Sequence, residues 1–432
     1  MAKIFSARAT LRVIFFTAVI LLAPPCAAAS DELDAAEIRL ACAICSMGAY
    51  SADESYIMRS ALTARGWQIE KLSRKNNLAD AKAYLVSKGD VKVLAVAGTE
   101  KIKDVEVNFR FGRVHLNDDT TLSPYEKKIG DKLFVHRSFR DYADVVLSDG
   151  LAERIKTSLE KNPREKIFLT GHSLGGAVAT IAGIRLTDAG VNQNQLKVIS
   201  FGAPTVGSRA LAKIYADRLD LTRVALRGDD NVKKSLRALG YVHFGKVLLY
   251  RQSNSDDHLE RKMSVYLDCA IREYLAAGGT LRHEARDKID TPLYVAPVLL
   301  VKKELHKDDE KIILNALDDE LRNNFSALTF DDVQSVAFKE KNISDADFDR
   351  FVDAGRAHGC KYILIRILRA KKIRDVRSGS RLVTLEEIIL DTNGIPRSMH
   401  TSGTSTEELT AFEAALATQE NLTDDLKNFF RQ

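Results

Sequence analysis

A serine between glycines offers the clearest chemistry in this sequence. Ser173 is the centre of a Gly-x-Ser-x-Gly pattern within residues 170–176, TGHSLGG. An apolar stretch precedes the pattern and a stretch of small residues follows it, as in a tight turn from a strand into a helix. Such a turn places the hydroxyl at the carboxyl end of the strand and at the positive end of the helix. The pattern therefore predicts a nucleophilic serine, whereas its simpler interpretation is a helix cap.

A nucleophilic serine needs a histidine base, because a hydroxyl is a poor nucleophile at neutral pH, and the base needs a carboxylate to orient it. On an elbow of this kind the acid and then the histidine follow the serine in the chain. His258 comes after a strand-like run that ends near Tyr250 and after a polar loop, so we expect it to be the base. His243 is the alternative base, with a structural role in a turn as its simpler interpretation.

Two adjacent carboxylates follow another strand-like run, Arg223 to Leu226. Asp229 and Asp230 lie in the segment RGDDNV directly after it. Both occupy the kind of strand end at which the acid is needed, and these residues alone do not decide between them. A solvated turn is their simpler interpretation.

An acyl-transfer site also needs fixed donors for the oxyanion that forms during the reaction. The backbone N–H of Leu174, the residue after the nucleophile, supplies one donor by geometry. Thr99 follows the apolar run Val93 to Val96 and Gly98, and it offers both a backbone N–H and a hydroxyl. We therefore expect Thr99 and Leu174 to form the oxyanion hole.

Strand-like and helical patterns alternate from about residue 35 to residue 276. The predicted strands are Val91–Val96, Ile167–Thr170, Leu196–Phe201, Arg223–Leu226 and Lys246–Tyr250. The predicted helices include Asp34–Tyr50, Phe139–Glu160, Gly176–Ala189, Arg209–Leu219 and Leu259–Ala276. This alternation predicts an α/β fold class with a mostly parallel sheet, which places ligands at the carboxyl ends of its strands.

A second, smaller α/β pattern follows a polar boundary at residues 277–292. Its predicted strands are Leu293–Val301, Tyr362–Leu368 and Leu382–Leu390, and its predicted helices are Asp308–Asn324, Ser344–His358 and Glu407–Phe430, the last interrupted near Asn421. We therefore predict one domain at residues 30–290 and a smaller α/β domain, of unknown role and unknown protein partner, at residues 291–432.

The first 29 residues have the pattern of a signal peptide. Three basic residues precede a short apolar run, and Ala27-Ala28-Ala29 predicts cleavage before Ser30. We therefore expect export to the periplasm or the medium, with a retained N-terminal anchor as the alternative. Without these three basic residues the formal charge of +5 falls to about +2, so no electrostatic case for a nucleic-acid partner remains.

Cysteine spacing favours packing over redox or metal chemistry. Cys42 and Cys45 form a Cys-x-x-Cys pair, but they lie inside a helical pattern and the sequence holds no second such pair. A zinc site would need further ligands. We therefore expect buried apolar cysteines.

Ordered motifs over residues 41–276 resemble the class 3 lipase family, the group that includes the fungal triacylglycerol lipases. They are Ala97-Gly98-Thr99 with Asp104, Phe134 to Phe139, the Thr170 to Ala177 elbow, Phe201 to Gly207, Tyr241 to Gly245 and Asp257-His258. The resemblance implies an α/β-hydrolase fold and an ester hydrolase with no cofactor and no metal. It also implies Ser173 as nucleophile, Asp230 rather than Asp229 as acid, His258 as base and an oxyanion hole of Thr99 and Leu174. The histidines that match His136 and His243 are structural in the family.

Three departures from the family pattern bear on the substrate. Lys233 replaces a proline after the acid, Val105 replaces a tryptophan, and the segment that would form a lid, Glu100 to Lys132, is rich in charge. An interfacial lid should present an apolar face. We therefore expect an exported serine ester hydrolase for glycerides or phospholipids, with peripheral membrane contact. The alternatives are a short-chain or aromatic carboxylesterase and a non-catalytic binding or adaptor protein of the envelope.

Overall fold

The computed structural model describes residues 25–49, 62, 66–75, 80–98, 112–226, 239–251, 263–280, 287–301, 305, 307–338, 345–373, 380–406 and 409–431. Most of the predicted signal segment lies outside these residues. The first helix begins at Pro25, ahead of the predicted cleavage position. No helix in the described part of the chain combines the length and the apolar character that a membrane span requires.

The elements of the first part follow one another in an α/β order. They are α1 (Pro25–Gly48), β1 (Gln68–Lys75), β2 (Asp80–Lys88), β3 (Val91–Val96), β4 (Arg113–Val114), α2 (Pro124–Ile129), β5 (Val135–His136), α3 (Arg137–Val146), α4 (Leu151–Lys161), β6 (Lys166–His172), α5 (Leu174–Asp188), β7 (Leu196–Phe201), β8 (Gly207–Ser208), α6 (Arg209–Tyr215), β9 (Asp220–Leu226), β10 (Tyr241–Val242), β11 (Lys246–Tyr250) and α7 (Met263–Ala276).

Seven of these strands form one sheet in the order β1-β2-β3-β6-β7-β9-β11. Strands β3, β6, β7, β9 and β11 are parallel to one another, whereas β1 and β2 add an antiparallel edge next to β3. The predicted α/β class with a mostly parallel sheet is therefore confirmed. Strands β4, β5, β8 and β10 form a separate small antiparallel sheet.

Helices cover both faces of the large sheet, and the strands alternate accordingly. Along β3, Val93 and Ala95 belong to the core shared with α1 and α7, whereas Leu94 and Val96 belong to the core shared with α3 and α5. Both sets are almost fully buried. A strand that is buried on both faces reads as a continuous apolar run, and for this reason the sequence predicted β3 correctly.

The second part forms another α/β layer. Its elements are β12 (Leu293–Val295), β13 (Val298–Val301), α8 (Lys307–Asn324), β14 (Leu328–Phe330), β15 (Ser335–Phe338), α9 (Asp345–Ala357), β16 (Tyr362–Lys372), β17 (Arg381–Asp391), β18 (Pro396–Ser405) and α10 (Ala411–Arg431). The long strand β16 pairs in parallel with both β12 and β13 and antiparallel with β17. Helices α8 and α10 pack on one face of this sheet, and α9 packs on the other.

One hydrophobic cluster runs through both parts of the chain. It joins buried residues of α1 and α7 to buried residues of α8, β16, β17 and α10. A buried polar contact crosses at the same place, because the Thr410 hydroxyl donates to the Asp268 carboxylate over 2.8 Å. The two halves therefore share a core.

Several predicted boundaries were wrong for identifiable reasons. The helix predicted over 139–160 is two helices, because Asp149 and Gly150 both adopt positive φ between them. The strand predicted over 293–301 is interrupted at Pro297, which has no N–H for the ladder. Helix α10 continues through Asn421 without a break. The helix predicted over 259–276 is described from Met263 to Ala276, and its start at Leu259 stays a prediction because residues 259–262 lie outside the described part.

Candidate active site

The backbone of Ser173 has the conformation of a nucleophile elbow. The residue lies between β6 and α5 with φ 53° and ψ −119°. Within the described residues, Asp149 is the one other non-glycine residue with positive φ. A side chain held there costs on the order of 1–3 kcal/mol, and such strain clusters at functional sites. Ser173 therefore has the backbone strain that is common at functional positions, and its role as nucleophile stays a prediction.

The glycines around Ser173 are required by close backbone packing. A Cβ on Gly171 would lie 2.4 Å from the carbonyl carbon of Gly175, and a Cβ on Gly175 would lie 2.2 Å from the carbonyl oxygen of Val96. A Cβ on Gly176 would lie 2.7 Å from the carbonyl oxygen of Gly171. The elbow is therefore wedged between the end of its own strand and the end of β3.

Leu174 begins α5 directly after the nucleophile. The first N–H groups of a helix have no acceptor within the helix, so this position at the positive helix end is compatible with the predicted role of the Leu174 N–H as an oxyanion donor. The close approach of Gly175 to Val96 and Ala97 places the end of β3 beside this donor. Thr99, the predicted second donor, follows β3 in the sequence but lies outside the described residues.

Strand polarity brings the sequence segments with the predicted triad to one edge of the sheet. In the parallel ladder, His172 pairs with Phe201, Phe201 with Val224, and Leu226 with Tyr250. Strands β3, β6, β9 and β11 therefore all end at the edge where Ser173 lies. Asp230 and its alternative Asp229 follow β9, and His258 follows β11; all three lie outside the described residues.

The alternative base, His243, precedes β11 and lies at the amino end of that strand, away from the edge that holds Ser173. It comes shortly before Lys246, where β11 begins, and a Cβ on the intervening Gly245 would lie 2.5 Å from the carbonyl oxygen of Leu221 near the start of β9. His243 is therefore near the amino ends of the strands, about one strand length from the Ser173 edge at ~3.3 Å per residue. A cavity of about 490 Å³ also lies at this opposite edge, lined by Gly245 and Lys246 among others.

His136 is a core residue. It is buried and stacks on Phe139 with a centroid separation of 4.2 Å. Burial lowers the pKa of His136 to about 4, so its ring is neutral at pH 7. This environment agrees with the structural role that the family resemblance implies.

The cysteines near the site are buried and free. Cys42 and Cys45 lie inside α1, and burial raises the pKa of Cys42 to about 12. Cys42 also contacts Thr170 of β6, whose hydroxyl donates to the Ile199 carbonyl over 2.7 Å. The interpretation of this pair as buried apolar residues is thereby supported. Among the described residues no cluster of three His, Cys, Asp or Glu side chains could hold a metal ion.

The sequence did not reveal how the elbow is anchored. The Ser173 N–H donates to the Phe201 carbonyl over 2.9 Å, and the Gly202 N–H donates to the Val224 carbonyl over 2.9 Å. Gly202 has φ +55°. Phe201 and Gly202 lie in the FGAPTVG motif. This motif is part of the family resemblance, and the hydrogen bonds give it a structural role beside Ser173.

A mostly parallel sheet with helices on both faces and a serine elbow at the end of an inner strand defines an α/β-hydrolase fold. Residues 93–261 match the family model described as lipase (class 3). The resemblance inferred from the motifs is thereby confirmed for this segment.

Named relatives include lipases and a phospholipase, and each matches this chain over a short stretch. The chain is 33% identical over 98 residues to secreted mono- and diacylglycerol lipase A of Penicillium cyclopium, a match covering 23% of this chain and 32% of that protein. It is 33% identical over 84 residues to phospholipase A1-II 1 of Oryza sativa subsp. indica, covering 19% of this chain and 21% of that protein. The chain thus spans about a third or less of these relatives.

Among solved structures, the triacylglyceride lipase of Rhizomucor miehei aligns with a TM-score of 0.41 and 18% identity. That alignment covers 52% of this chain and 82% of the lipase chain.

Proposed function

We propose that this protein is an exported serine ester hydrolase that cleaves acyl esters of glycerides or phospholipids. The observation that carries the proposal is the positive φ of Ser173 at an edge where the segments bearing Thr99, Asp230 and His258 leave the sheet. The class 3 lipase match and the names of the relatives support the lipid ester class. The signal-like N-terminus and the word "secreted" in relatives' names support export.

The chemistry follows from the assigned roles. The Ser173 hydroxyl attacks the ester carbonyl while His258, oriented by Asp230, takes its proton. The oxyanion accepts hydrogen bonds from the backbone N–H groups of Thr99 and Leu174. Collapse releases the alcohol with the proton from His258 and leaves an acyl-serine. Water, deprotonated by His258, then releases the carboxylic acid and restores the Ser173 hydroxyl.

The described part of the predicted lid is built as scaffold. Within residues 112–132, the buried Glu126 accepts hydrogen bonds from the backbone N–H of Asn117 and of Ser123, each over 3.0 Å. Arg185 of α5 holds Asn117 and pairs with Asp144 of α3 over 2.9 Å. These contacts tie residues 112–132 to α3 and α5.

The charged composition of the predicted lid segment, Glu100 to Lys132, keeps the carboxylesterase alternative open. Two sets of substrates distinguish the lipid ester hydrolase from the carboxylesterase. They are a chain-length series of soluble p-nitrophenyl esters and dispersions of monoacylglycerol and phospholipid. Higher kcat/KM on long-chain glycerides or phospholipids supports the lipid substrate class. Activity restricted to acetyl and butyryl esters would replace it with the carboxylesterase.

Labelling with a fluorophosphonate probe tests the hydrolase itself. We expect the folded wild type to be labelled, and Ser173→Ala and His258→Ala to abolish labelling. His243→Ala and Asp229→Asn are matched controls that should still be labelled, while Asp230→Asn should lose most reactivity. No labelling of the folded wild type would reject the hydrolase and favour the adaptor alternative. Labelling that survives Ser173→Ala would reject Ser173 as the nucleophile.

A further inference from the structure

Tyr266 is a fully buried aromatic residue near the start of α7. In the sequence, α7 follows closely after the segment that carries His258. The ring of Tyr266 packs against residues that flank the Ser173 turn. No role is predicted for Tyr266 from the sequence. Its neighbours include His172, Phe201 and Gly202, which flank or anchor the backbone of Ser173.

Three contacts define this environment. The Tyr266 ring lies 5.5 Å from the ring of His172, centroid to centroid, and 5.9 Å from that of Phe201. Its hydroxyl would lie 2.6 Å from a Cβ on Gly202. His172 precedes the nucleophile, Phe201 accepts its N–H, and Gly202 continues the chain from that acceptor.

Helix α7 is held firmly from its other sides. Asp268 accepts from Thr410 over 2.8 Å, and the guanidinium of Arg272 lies 4.6 Å from the ring centroid of Phe412. Farther along, Glu273 accepts from Arg39 over 2.9 Å and from the Tyr250 hydroxyl over 2.7 Å. Contacts from α1, β11 and the C-terminal half therefore fix the position of α7, and with it the position of Tyr266 beside the Ser173 turn.

We propose that Tyr266 is a positioning residue for the reaction of Ser173. A positive φ at a serine must be imposed by its surroundings, and Tyr266 packs against the residues that impose it. In the sequence, α7 also follows the segment that carries the predicted base, His258. This role rests on the proposed function, because it requires Ser173 to be a nucleophile.

A purely structural core residue would give a different result from a positioning residue. Tyr274 is the matched control: it is also buried on α7, but it packs against Gly279 at the far end of the helix. Tyr266→Phe keeps the ring and removes the hydroxyl, so it serves as the conservative variant. The full-length Tyr266→Ala, Tyr266→Phe and Tyr274→Ala proteins are compared with wild type.

The measured quantities are the rate of fluorophosphonate labelling, kcat and KM on p-nitrophenyl butyrate, and the melting temperature. We expect Tyr266→Ala to lower the labelling rate and kcat by about 10- to 100-fold with KM changed less than about threefold, because small misplacements of a nucleophile carry costs of that size. Tyr266→Phe should remain within about threefold of wild type. Tyr274→Ala should lower the melting temperature without this loss of kcat.

Equal losses of kcat in Tyr266→Ala and Tyr274→Ala, measured well below both melting temperatures, would overturn the positioning role. If Tyr266→Ala does not fold, Tyr266→Leu, which retains an apolar side chain of intermediate size, takes its place with the same expectation. Labelling of wild type that is lost in Ser173→Ala establishes the hydrolase independently. A failure of the Tyr266 role is therefore distinguishable from a failure of the proposed function.

Discussion

The backbone N–H of Ser173 donates to the carbonyl oxygen of Phe201 over 2.9 Å, at the position where β6 and β7 end together. The nucleophile is thus fixed to the neighbouring strand before its helix begins. The next hydrogen bond, from Gly202 to Val224 of β9, extends the attachment to the strand that precedes the predicted acid. The position of Ser173 is therefore set by the sheet, and the residues that hold strand ends together should affect catalysis.

The contact between Gly175 and β3 gives the first prediction. In Gly175→Ala the new Cβ would lie 2.2 Å from the carbonyl oxygen of Val96, and neither backbone can yield easily. We expect kcat on p-nitrophenyl butyrate to fall by about 100-fold and the free energy of unfolding in urea to fall by about 1–3 kcal/mol.

Gly89→Ala is the control for this substitution. Gly89 has φ +54° with open space around it, so the variant costs only backbone strain of about 1–2 kcal/mol and should keep its kcat. Equal kcat in both variants would contradict the close approach of the elbow to β3.

The inner strands and the nucleophile could be predicted because their signals are local. β3 and β7 are short apolar runs with the observed bounds, and glycine spacing around Ser173 reflects contacts within a few residues. Strands β1 and β2 escaped prediction, because half of the residues of β1 are charged, in two adjacent pairs, and the strand gains its stability by pairing along β2. Strand β18, with mostly polar residues, was missed for the same reason.

The anchoring of the elbow could not be predicted, because it joins residues that are far apart in the chain. The His172 and Tyr266 rings meet only after β6 enters the sheet and α7 packs beneath it. Neither residue has a spacing or a neighbouring motif that indicates this contact. The triad assignment of Asp230 and His258, which lie outside the described residues, stays a prediction.

Glu126 gives the second prediction, which concerns the scaffold between residues 112 and 132. Burial would raise the pKa of Glu126, but hydrogen bonds from Ser123 and Asn117 outweigh it and lower that pKa. Glu126→Ala leaves these donors without their acceptor, so we expect the free energy of unfolding at pH 7 to fall by about 1–3 kcal/mol. Because the folded pKa is depressed, the carboxylate's contribution should be lost as pH falls below about 4.5.

Catalysis distinguishes this scaffold from a lid. We expect Glu126→Ala to keep kcat on p-nitrophenyl butyrate within about twofold of wild type, and Glu153→Ala, an exposed acidic control on α4, to change neither property. A rise or fall of kcat by tenfold with an unchanged melting temperature would instead indicate that this segment moves during turnover.

The shared core gives the third prediction. Trp67 is the single tryptophan of the chain and is buried in the first half, so its fluorescence reports that half, whereas far-UV circular dichroism reports the whole chain. We expect the two urea transitions to coincide, because the cluster that contains Trp67 also contains residues of α10. Separate transitions would show that the halves unfold independently.

A substitution in the second half tests the same coupling. Thr410→Val removes the hydroxyl that donates to Asp268, and we expect it to lower the free energy of unfolding reported by Trp67 by about 1–2 kcal/mol. Thr401→Val, at an exposed position of β18, should leave the Trp67 transition unchanged. An unchanged Trp67 transition in Thr410→Val would argue against energetic coupling through α7.

The fourth prediction concerns a buried carboxyl in the second sheet. Glu387 of β17 lies directly opposite Arg366 of β16, and both are almost fully buried. Burial raises the pKa of Glu387 to about 7, although Arg366 opposes this rise. A folded pKa above the unfolded value means that the native state binds the extra proton. The contribution of Glu387 to stability is therefore present below about pH 4.5 and is lost as pH rises through 7.

We expect the free energy of unfolding of wild type to fall between pH 5 and 8, and Glu387→Gln, which stays neutral, to flatten this decline. The control is Glu386→Gln, since Glu386 is the neighbouring carboxyl on β17 and pairs with Arg369 over 2.7 Å. Urea titrations at pH 5, 6, 7 and 8 measure the effect, and equal pH slopes in wild type and Glu387→Gln would show that Glu387 is ionised throughout this range.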